Sequence, residues 1–387
     1  MTIFIQKPWY KKGGGADLTK IYGVEWNKSS ASPIFTRTDD AVGMPEPNPY
    51  YAGMTGSPSS PFDSISPWKD IKIVEDSAAG TLVEIPKFYY KIENNGNYFR
   101  LKISMTQHED FLVSPAHDDR GNLGGSVINY AYIGRYHCAS DYKSKTGVKP
   151  ATDMTRATFR TNIHNLGANI WQNDFAMFWT IRMLYLVEFA NWDSQRKIGY
   201  GGGKNVLEEM GYTDNMPYHT GTSQQDKTTY GAGTQYRYIE GLWDNVYDWI
   251  DGIYFYNGTA FSRSYSVRCI RNPSDFSDTQ NGTEVSLRSS GNGVIKNISN
   301  ITSSSSPLRY AFYPNSASGF DYDLYITDGY EYNSKGTVLF AGGAYDSNYQ
   351  YGLFYLNGSL TSNSTMTSGQ LPIGSRLMVL PPSRLTA

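Results

Sequence analysis

Tyrosine, asparagine, serine and aspartate crowd the run at 310–376. Of the chain's 32 tyrosines, ten lie within 310–355, and the only basic residue within 315–375 is Lys335. Tyrosine offers a large, rigid contact surface at low entropic cost, and serine and asparagine add adaptable hydrogen bonds. The chemistry that these residue types suggest is reversible contact with another molecule.

This run predicts a displayed surface set between short framework strands. GTVLFAGG and GLFYL are apolar and flanked by glycine, as buried strands tend to be, whereas AYDSNYQY has no sustained apolar alternation. Tyrosine also favours strands, so the alternative is that these side chains pack a β-rich core. The predicted contact residues are Tyr322, Tyr325, Tyr330, Tyr345, Asp346, Ser347, Asn348, Tyr349, Tyr351, Tyr355, Asn357 and Ser359.

Residues that could catalyse a reaction are dispersed. The histidines are His108, His117, His137, His164 and His219. No two of them have the spacing of a metal-binding pair. His117 and Asp118 could join a serine in a hydrolytic triad, but no nucleophile-elbow motif accompanies them. We therefore predict no catalytic residue and interpret each histidine as structural.

The two cysteines, Cys138 and Cys269, could form a disulfide only if the fold brings them together. Buried free thiols are the favoured interpretation.

Composition excludes several classes of protein. A net charge of −2 over 387 residues, without a basic patch, gives no reason to expect a nucleic-acid partner. No apolar run reaches the length of a membrane span, and the N-terminus lacks the pattern of a secretory signal. Only 18% of residues are charged, and glycine and tyrosine are abundant, which is typical of an extracellular or virion β-protein.

Three parts are predicted along the chain: an N-terminal arm at 1–22, a β-rich segment at 23–148 and a third domain at 149–387. The arm combines an apolar start, MTIFI, with a triple glycine, which suits attachment or oligomerisation through a flexible joint. Period-two patterns predict strands in IKIVED, TLVEIPKFYYKI, NYFRLKIS, FLVSP and VINYAYIGRYHCAS.

Two helices are predicted in the third domain. The first lies within 153–167, with an aspartate or threonine cap and a glycine stop. The second is FAMFWTIRMLYLVEFANW, capped by Asn173 or Asp174 and ending near Trp192, and its near-continuous hydrophobicity predicts burial. The following IGYGGGKNVLEEMG does not fit a phosphate-binding loop and is interpreted as a surface loop.

A further pattern is YRYIEGLWDNVYDWIDGIYF, residues 236–255. Trp243, Val246, Trp249 and Ile250 have a helix-like or tight-turn spacing that would bury both indoles. NVYDW resembles the Asn-Val-Trp-Glu-Trp element of the formylglycine-generating-enzyme branch of the C-type-lectin-like fold.

The preceding helix, RMLYLVEFANWDSQ, occupies the place of that branch's Arg-Leu-Pro-Thr-Glu-Ala-Glu-Trp helix, with Glu188 matching its second glutamate and the Pro-Thr pair lost. The resemblance implies scaffold roles for Trp243, Asn245, Trp249 and Glu188. It implies an α+β, β-rich, C-type-lectin-like fold with two helices, long loops and an N-terminal β-rich extension.

The ending YGLFYLNGSLTSNS…IGSRLMVLP is similar to the variable C-termini of proteins diversified by retroelements, with the variable region here at about 310–376. EIPKFYYKI and SPAHDDRG resemble tail-associated proteins of phages and prophages of gut bacteria. The resemblance implies a non-enzymatic phage tail receptor-binding protein in the virion, forming a homotrimer that binds a bacterial surface protein or glycan. The N-terminal arm would contact other tail proteins.

Alternative functions are a structural tail-tip or baseplate subunit, an enzyme of the same superfamily, or a glycan hydrolase. An oxidase of that superfamily needs a reactive cysteine pair, and this chain has no cysteine after Cys269. No cofactor is predicted, although some relatives of the fold place a structural calcium ion near the positions of Asn245 and Asp248.

Overall fold

The computed structural model describes residues 17–120, 127–256, 265–278, 283–287, 293–300, 312–319, 321, 323–332, 338–348, 350–361 and 372–380. It is β-rich with few helices, as the sequence predicts. The strands are β1 (Ile21–Asn27), β2 (Thr36–Asp39), β3 (Tyr50–Tyr51), β4 (Lys72–Asp76), β5 (Gly80–Pro86), β6 (Tyr89–Asn95), β7 (Tyr98–Ser104), β8 (Leu112–Val113), β9 (Tyr130–Gly134), β10 (Ile170–Gln172), β11 (Gly221–Thr222), β12 (Thr234–Tyr236), β13 (Ile239–Glu240), β14 (Tyr247–Tyr256), β15 (Tyr265–Cys269), β16 (Thr283–Leu287), β17 (Gly293–Asn300), β18 (Phe312–Ala317), β19 (Ile326–Tyr332), β20 (Val338–Ala341), β21 (Leu356–Leu360), β22 (Ile373–Gly374) and β23 (Leu377–Val379).

These strands form sheets with the orders β2-β1-β7-β6-β8, β10-β23-β9-β5-β4, β13-β12-β11-β3 and β16-β15-β14-β20-β21-β19-β17-β18, with β22 beside β14. Short 3-10 helices lie at Pro61–Ser64, Trp68–Asp70, Pro115–His117 and Pro273–Asp275.

The α-helices are α1 (Arg156–His164), α2 (Phe175–Phe189) and α3 (Ser194–Ile198). Asp174 caps α2 by accepting a hydrogen bond from the Met177 N–H at 2.9 Å, and every residue of this helix is buried, as predicted. The helix ends before Trp192, because Ala190 adopts a left-handed conformation with φ of 50°. The short helix α3 is not anticipated by the sequence pattern.

Residues on both sides of the predicted boundary at 148/149 share sheets. Strand β23 lies between β9 and β10, with Met378 opposite both Ile133 and Trp171. Strand β11 pairs in parallel with β3, with Gly221 opposite Tyr50. One buried hydrophobic cluster also extends along the sequence from residue 22 to residue 380. The segment at 23–148 therefore packs as an integral part of the third domain.

The predicted N-terminal arm falls largely at 1–16, outside the described residues, and β1 already begins at Ile21.

The prediction of a helix-like or tight turn around NVYDW is wrong beyond Val246. Bends precede Tyr247, but Tyr247 begins strand β14, which pairs with β20, β22 and β15. These partner strands override the local spacing. Trp243 and Trp249 are nevertheless fully buried.

Cys138 and Cys269 are both buried and are not joined in a disulfide, which confirms the favoured interpretation. Burial raises the pKa of the Cys138 thiol well above its usual range, so this side chain is a poor nucleophile at neutral pH.

Candidate binding surface

The centre of the predicted surface is a turn at 344–348, here called the tyrosine turn. The Ala344 N–H donates to Ser347 Oγ at 2.7 Å, and Ser347 Oγ lies 2.8 Å from the hydroxyl of Tyr247 in β14. The Tyr345 N–H donates to the Asn245 carbonyl oxygen at 3.0 Å. The backbone of this turn is thus fixed to buried residues of the scaffold.

Four of the predicted contact residues around this turn reach solvent. Asp346 and Asn348 are exposed, and Tyr345 and Tyr351 are partly exposed. Their side chains combine aromatic faces with hydrogen-bond donors and acceptors, the combination found in adaptable protein binding sites.

Four other predicted contact residues are buried, which corrects the expectation that they are displayed: Tyr330, Ser347, Tyr355 and Asn357. The ring of Tyr355 lies 4.5 Å from that of Tyr351 and 5.9 Å from that of Tyr247. Its hydroxyl accepts a hydrogen bond from Asn357 Nδ2 at 2.8 Å. These side chains are therefore part of the packed interior beneath the predicted binding surface, where burial and internal hydrogen bonds hold them in place.

Two further predicted residues lie at other places. The Tyr325 N–H donates to the Ala31 carbonyl oxygen, and the Lys296 ammonium lies 4.3 Å from the centroid of the Tyr325 ring. Ser359 is partly buried in β21 and donates to Asn357 Oδ1 at 2.6 Å. Tyr322 and Tyr349 lie outside the described residues.

A buried carboxyl group, that of Asp328, organises the segment that follows the tyrosine turn. Asp328 in β19 accepts hydrogen bonds from the N–H groups of Gly352 at 2.9 Å and Phe354 at 2.7 Å. Burial raises the pKa of Asp328 to about 8. This side chain fixes the backbone between Tyr351 and Tyr355.

A glycine-rich loop next to the tyrosine turn was predicted as a surface loop but not as part of the binding surface. Gly202 has a φ of 67°, and a Cβ at this position would lie 2.3 Å from the Ala344 carbonyl oxygen. The Asn205 N–H donates to the Tyr345 carbonyl oxygen at 3.0 Å. Lys204, Asn205 and Val206 are exposed beside this contact, and Val206 retains 55% of its accessible surface. The only signal in the sequence is the glycine run itself, which permits such a close approach.

The four predicted scaffold residues are all buried: Glu188, Trp243, Asn245 and Trp249. Glu188 accepts hydrogen bonds from Arg237 Nη2 at 2.5 Å, Ser60 Oγ at 2.7 Å and the Tyr236 hydroxyl at 3.0 Å. This carboxylate is a structural junction between α2, the 3-10 helix at Pro61–Ser64 and the β12–β13 turn.

The positions considered for calcium already have protein partners. Arg376 Nε lies 3.4 Å from Asp248 Oδ2, and Asn245 Nδ2 donates to the Glu208 carbonyl oxygen at 3.0 Å. In the described part of the chain, no group of three or more histidine, cysteine, aspartate or glutamate side chains could hold a metal ion.

The hypothetical triad does not assemble, because His117 contacts a serine whereas Asp118 pairs with another residue. His117 is fully buried between Ser114 Oγ at 2.7 Å and the Ile85 carbonyl oxygen at 2.9 Å. Burial lowers its pKa to about 3, so the imidazole is neutral. Asp118 instead forms an ion pair with Arg271 at 2.5 Å.

Comparison with known proteins places the chain in no family: no family model matches it, and a search of curated proteins finds no match. Among the residues that the structure describes, no helix is long and apolar enough to cross a membrane.

Proposed function

We propose that this protein is the receptor-binding protein of a phage or prophage tail, which attaches the particle to a bacterial surface protein or glycan. The observation that carries the proposal is the tyrosine turn, which exposes Asp346 and Asn348 and partly exposes Tyr345 on a backbone fixed by buried Ser347. A fixed backbone under polar-aromatic side chains reduces the entropy lost on binding.

The order of elements supports a C-type-lectin-like domain within this fold. Helices α1 and α2 are followed by the buried Trp243–Trp249 segment and then by strands β19 to β23, which surround the tyrosine turn in sequence. This is the order that the resemblance implies.

The pattern of exposure also fits diversification by a retroelement. Adenine-directed changes to an asparagine codon such as AAC yield tyrosine, aspartate or serine, and the exposed positions at 345, 346 and 348 carry tyrosine, aspartate and asparagine. Such changes would alter contacts while leaving the supporting residues in place. A reverse-transcriptase gene and a near-copy of this gene's 3′ end beside it, differing chiefly at adenines, would support this part of the proposal.

Assembly as a homotrimer would strengthen weak single-site contacts through avidity. The three copies would present equivalent tyrosine turns to the same cell surface.

A binding experiment tests the function. Immobilised cell envelopes from a panel of gut bacteria are probed with the purified chain and with a variant that combines Tyr345→Ser, Asp346→Ala and Asn348→Ala. We expect the wild type to bind at least one envelope and the variant to lose about thirty-fold in affinity or more, because interfaces concentrate energy in a few aromatic contacts.

Tyr98→Ser is the matched control, because Tyr98 is 37% exposed on β7, in a sheet that the tyrosine turn does not join. The control should bind like the wild type, and all three proteins should have similar melting temperatures. Equal binding by the triple variant, or binding to no envelope, would overturn the proposal.

A further inference from the structure

A cavity of about 260 Å³ opens at another place on the molecule and shares no residue with the tyrosine turn. Its volume lies just below that of pockets for drug-sized ligands, so its occupant would be smaller. The lining includes Arg135, Asp214, Tyr218, His219, Gln235 and Tyr238. We call it the Arg135 cavity.

Arg135 holds a hydrogen-bonding group, the side chain of Asp214, in place at this cavity. The Arg135 side chain is only 6% exposed, and its Nη2 donates to Asp214 Oδ1 at 2.9 Å. Its backbone carbonyl oxygen accepts from Arg376 Nη1 at 2.8 Å, which holds the strand end in place. Arg135 Nε is buried and has no hydrogen-bond partner among the described residues. Because this atom is covered, the polar group that Arg135 offers to the cavity is its partner Asp214, whose side chain is 32% exposed.

Aromatic rings form another wall of the Arg135 cavity. The rings of Tyr218 and His219 lie 3.9 Å apart, and those of His219 and Tyr238 lie 5.6 Å apart. Asp63 fixes the first two, since the Tyr218 hydroxyl donates to it at 2.6 Å and His219 Nε2 lies 2.9 Å from it. The wall is therefore rigid, with apolar faces and polar edges.

The turn between β12 and β13 brings Tyr238 to this wall at a conformational cost. Arg237 and Tyr238 form a two-residue hairpin loop with φ of 44° and 70°. Positive φ at both positions favours glycine and asparagine, so an arginine and a tyrosine here are strained. Arg237 has a structural reason, its ion pair with Glu188 at 2.5 Å. A strained residue that lines a cavity points to a function for its side chain.

We propose that the Arg135 cavity binds one neutral saccharide unit. The rings of Tyr218 and Tyr238 would contact the C–H faces of the sugar, and a sugar hydroxyl would donate a hydrogen bond to the Asp214 carboxylate. The unit is neutral because Asp214 already balances the charge of Arg135 and would repel an anion. This site is independent of the tyrosine turn and does not require the proposed receptor function.

The experiment is ligand-observed saturation-transfer NMR on the full chain. The probes are glucose, galactose, mannose and N-acetylglucosamine, with glucuronate as the charged comparator. Tyr238→Asn removes the ring but keeps a residue that tolerates positive φ. Asp214→Asn removes the charged acceptor while keeping nearly the same side-chain size. Tyr98→Asn on β7 is the control.

We expect at least one neutral sugar to bind with a millimolar or lower Kd, and each cavity variant to weaken that binding about tenfold or more. The melting temperature of Tyr238→Asn should be unchanged or higher, because the turn is relieved of strain. The triple variant of the tyrosine turn should still bind the sugar. Absence of neutral-sugar binding, binding of glucuronate alone, or undiminished binding by Tyr238→Asn would overturn the proposal.

Discussion

The hydroxyl of Tyr247 lies 2.8 Å from Ser347 Oγ, and this bond connects a core strand directly to the tyrosine turn. Both side chains are buried, whereas Asp346 and Asn348 on either side of Ser347 are exposed. Exposed and buried side chains thus alternate along these three consecutive residues. Side chains at the exposed positions can change without disturbing the hydrogen bond that holds the turn.

Ser347→Ala should reduce the free energy of unfolding by about 1–3 kcal/mol, because the buried hydroxyl of Tyr247 and the Ala344 N–H lose their partner. Ser359→Ala is the control. Ser359 is partly buried, and among the described residues its side chain hydrogen-bonds to Asn357 in the same strand, so the change should stay within about 0.5 kcal/mol. Urea denaturation measures the free energy of unfolding of the two variants. Equal decreases in the two would contradict the supporting role of Ser347.

Trp249→Ala should cost roughly 3–5 kcal/mol of stability, the range for removing a large buried aromatic side chain. Trp249 Nε1 donates to the Met154 carbonyl oxygen at 3.1 Å, and its ring meets the edge of Phe340 at 5.9 Å. Trp243→Ala should behave alike, since Trp243 Nε1 donates to the Gly199 carbonyl oxygen at 3.0 Å. Calorimetry provides the measurement. An unchanged melting temperature with lost envelope binding would reassign Trp249 from scaffold to binding residue.

Asp328 should make stability depend on pH. Its folded-state pKa is raised from 3.8 to about 8 by burial, so the folded state retains a proton that the unfolded state releases. Its stabilising contribution is complete below about pH 4 and is lost as pH rises towards 8, by at most about 1.4 kcal/mol per pH unit. Asp328→Asn cannot titrate, so its unfolding free energy should fall less over this interval. Parallel pH profiles for the two proteins would contradict the assignment.

The purified chain should form a trimer, because the apolar sequence MTIFI and the adjoining Trp9 and Tyr10 favour association between copies of the chain. Light scattering should give about three times the chain mass of 43.4 kDa. A chain lacking residues 2–12 should lose the trimer while keeping its melting transition. A monomer at micromolar concentration for the full chain would count against the avidity argument.

Local sequence signals predicted the elements that depend on local interactions. The cap at Asp174 and the continuous apolar run gave α2, and alternation gave most strands before residue 135. Which of the tyrosine side chains are buried could not be predicted from local sequence signals. Tyr355 lies in the apolar run GLFYL, but no local signal shows that its ring packs against Tyr247 of β14 and Phe340 of β20. Burial of that kind depends on strands that are distant in sequence.

For the same reason, the residues that lie next to the tyrosine turn could not be predicted from the sequence. Gly202 and Ala344 approach each other across more than a hundred residues, and no periodicity links them. The lining of the Arg135 cavity likewise comes from segments that are distant in sequence. Its locally unusual feature is the positive φ of Arg237 and Tyr238, which the structure shows and the sequence pattern does not.

The position of β23 has a consequence for biosynthesis. Strand β9 pairs with β23, whose residues leave the ribosome long after Tyr132 and Ile133 have emerged. During translation one side of β9 has no native partner, and an open strand edge is prone to pair with other chains. When many ribosomes translate one messenger RNA, many nascent chains with an unpaired β9 edge lie close together. Slower translation, or a chaperone that covers β9, should therefore raise the yield of native protein.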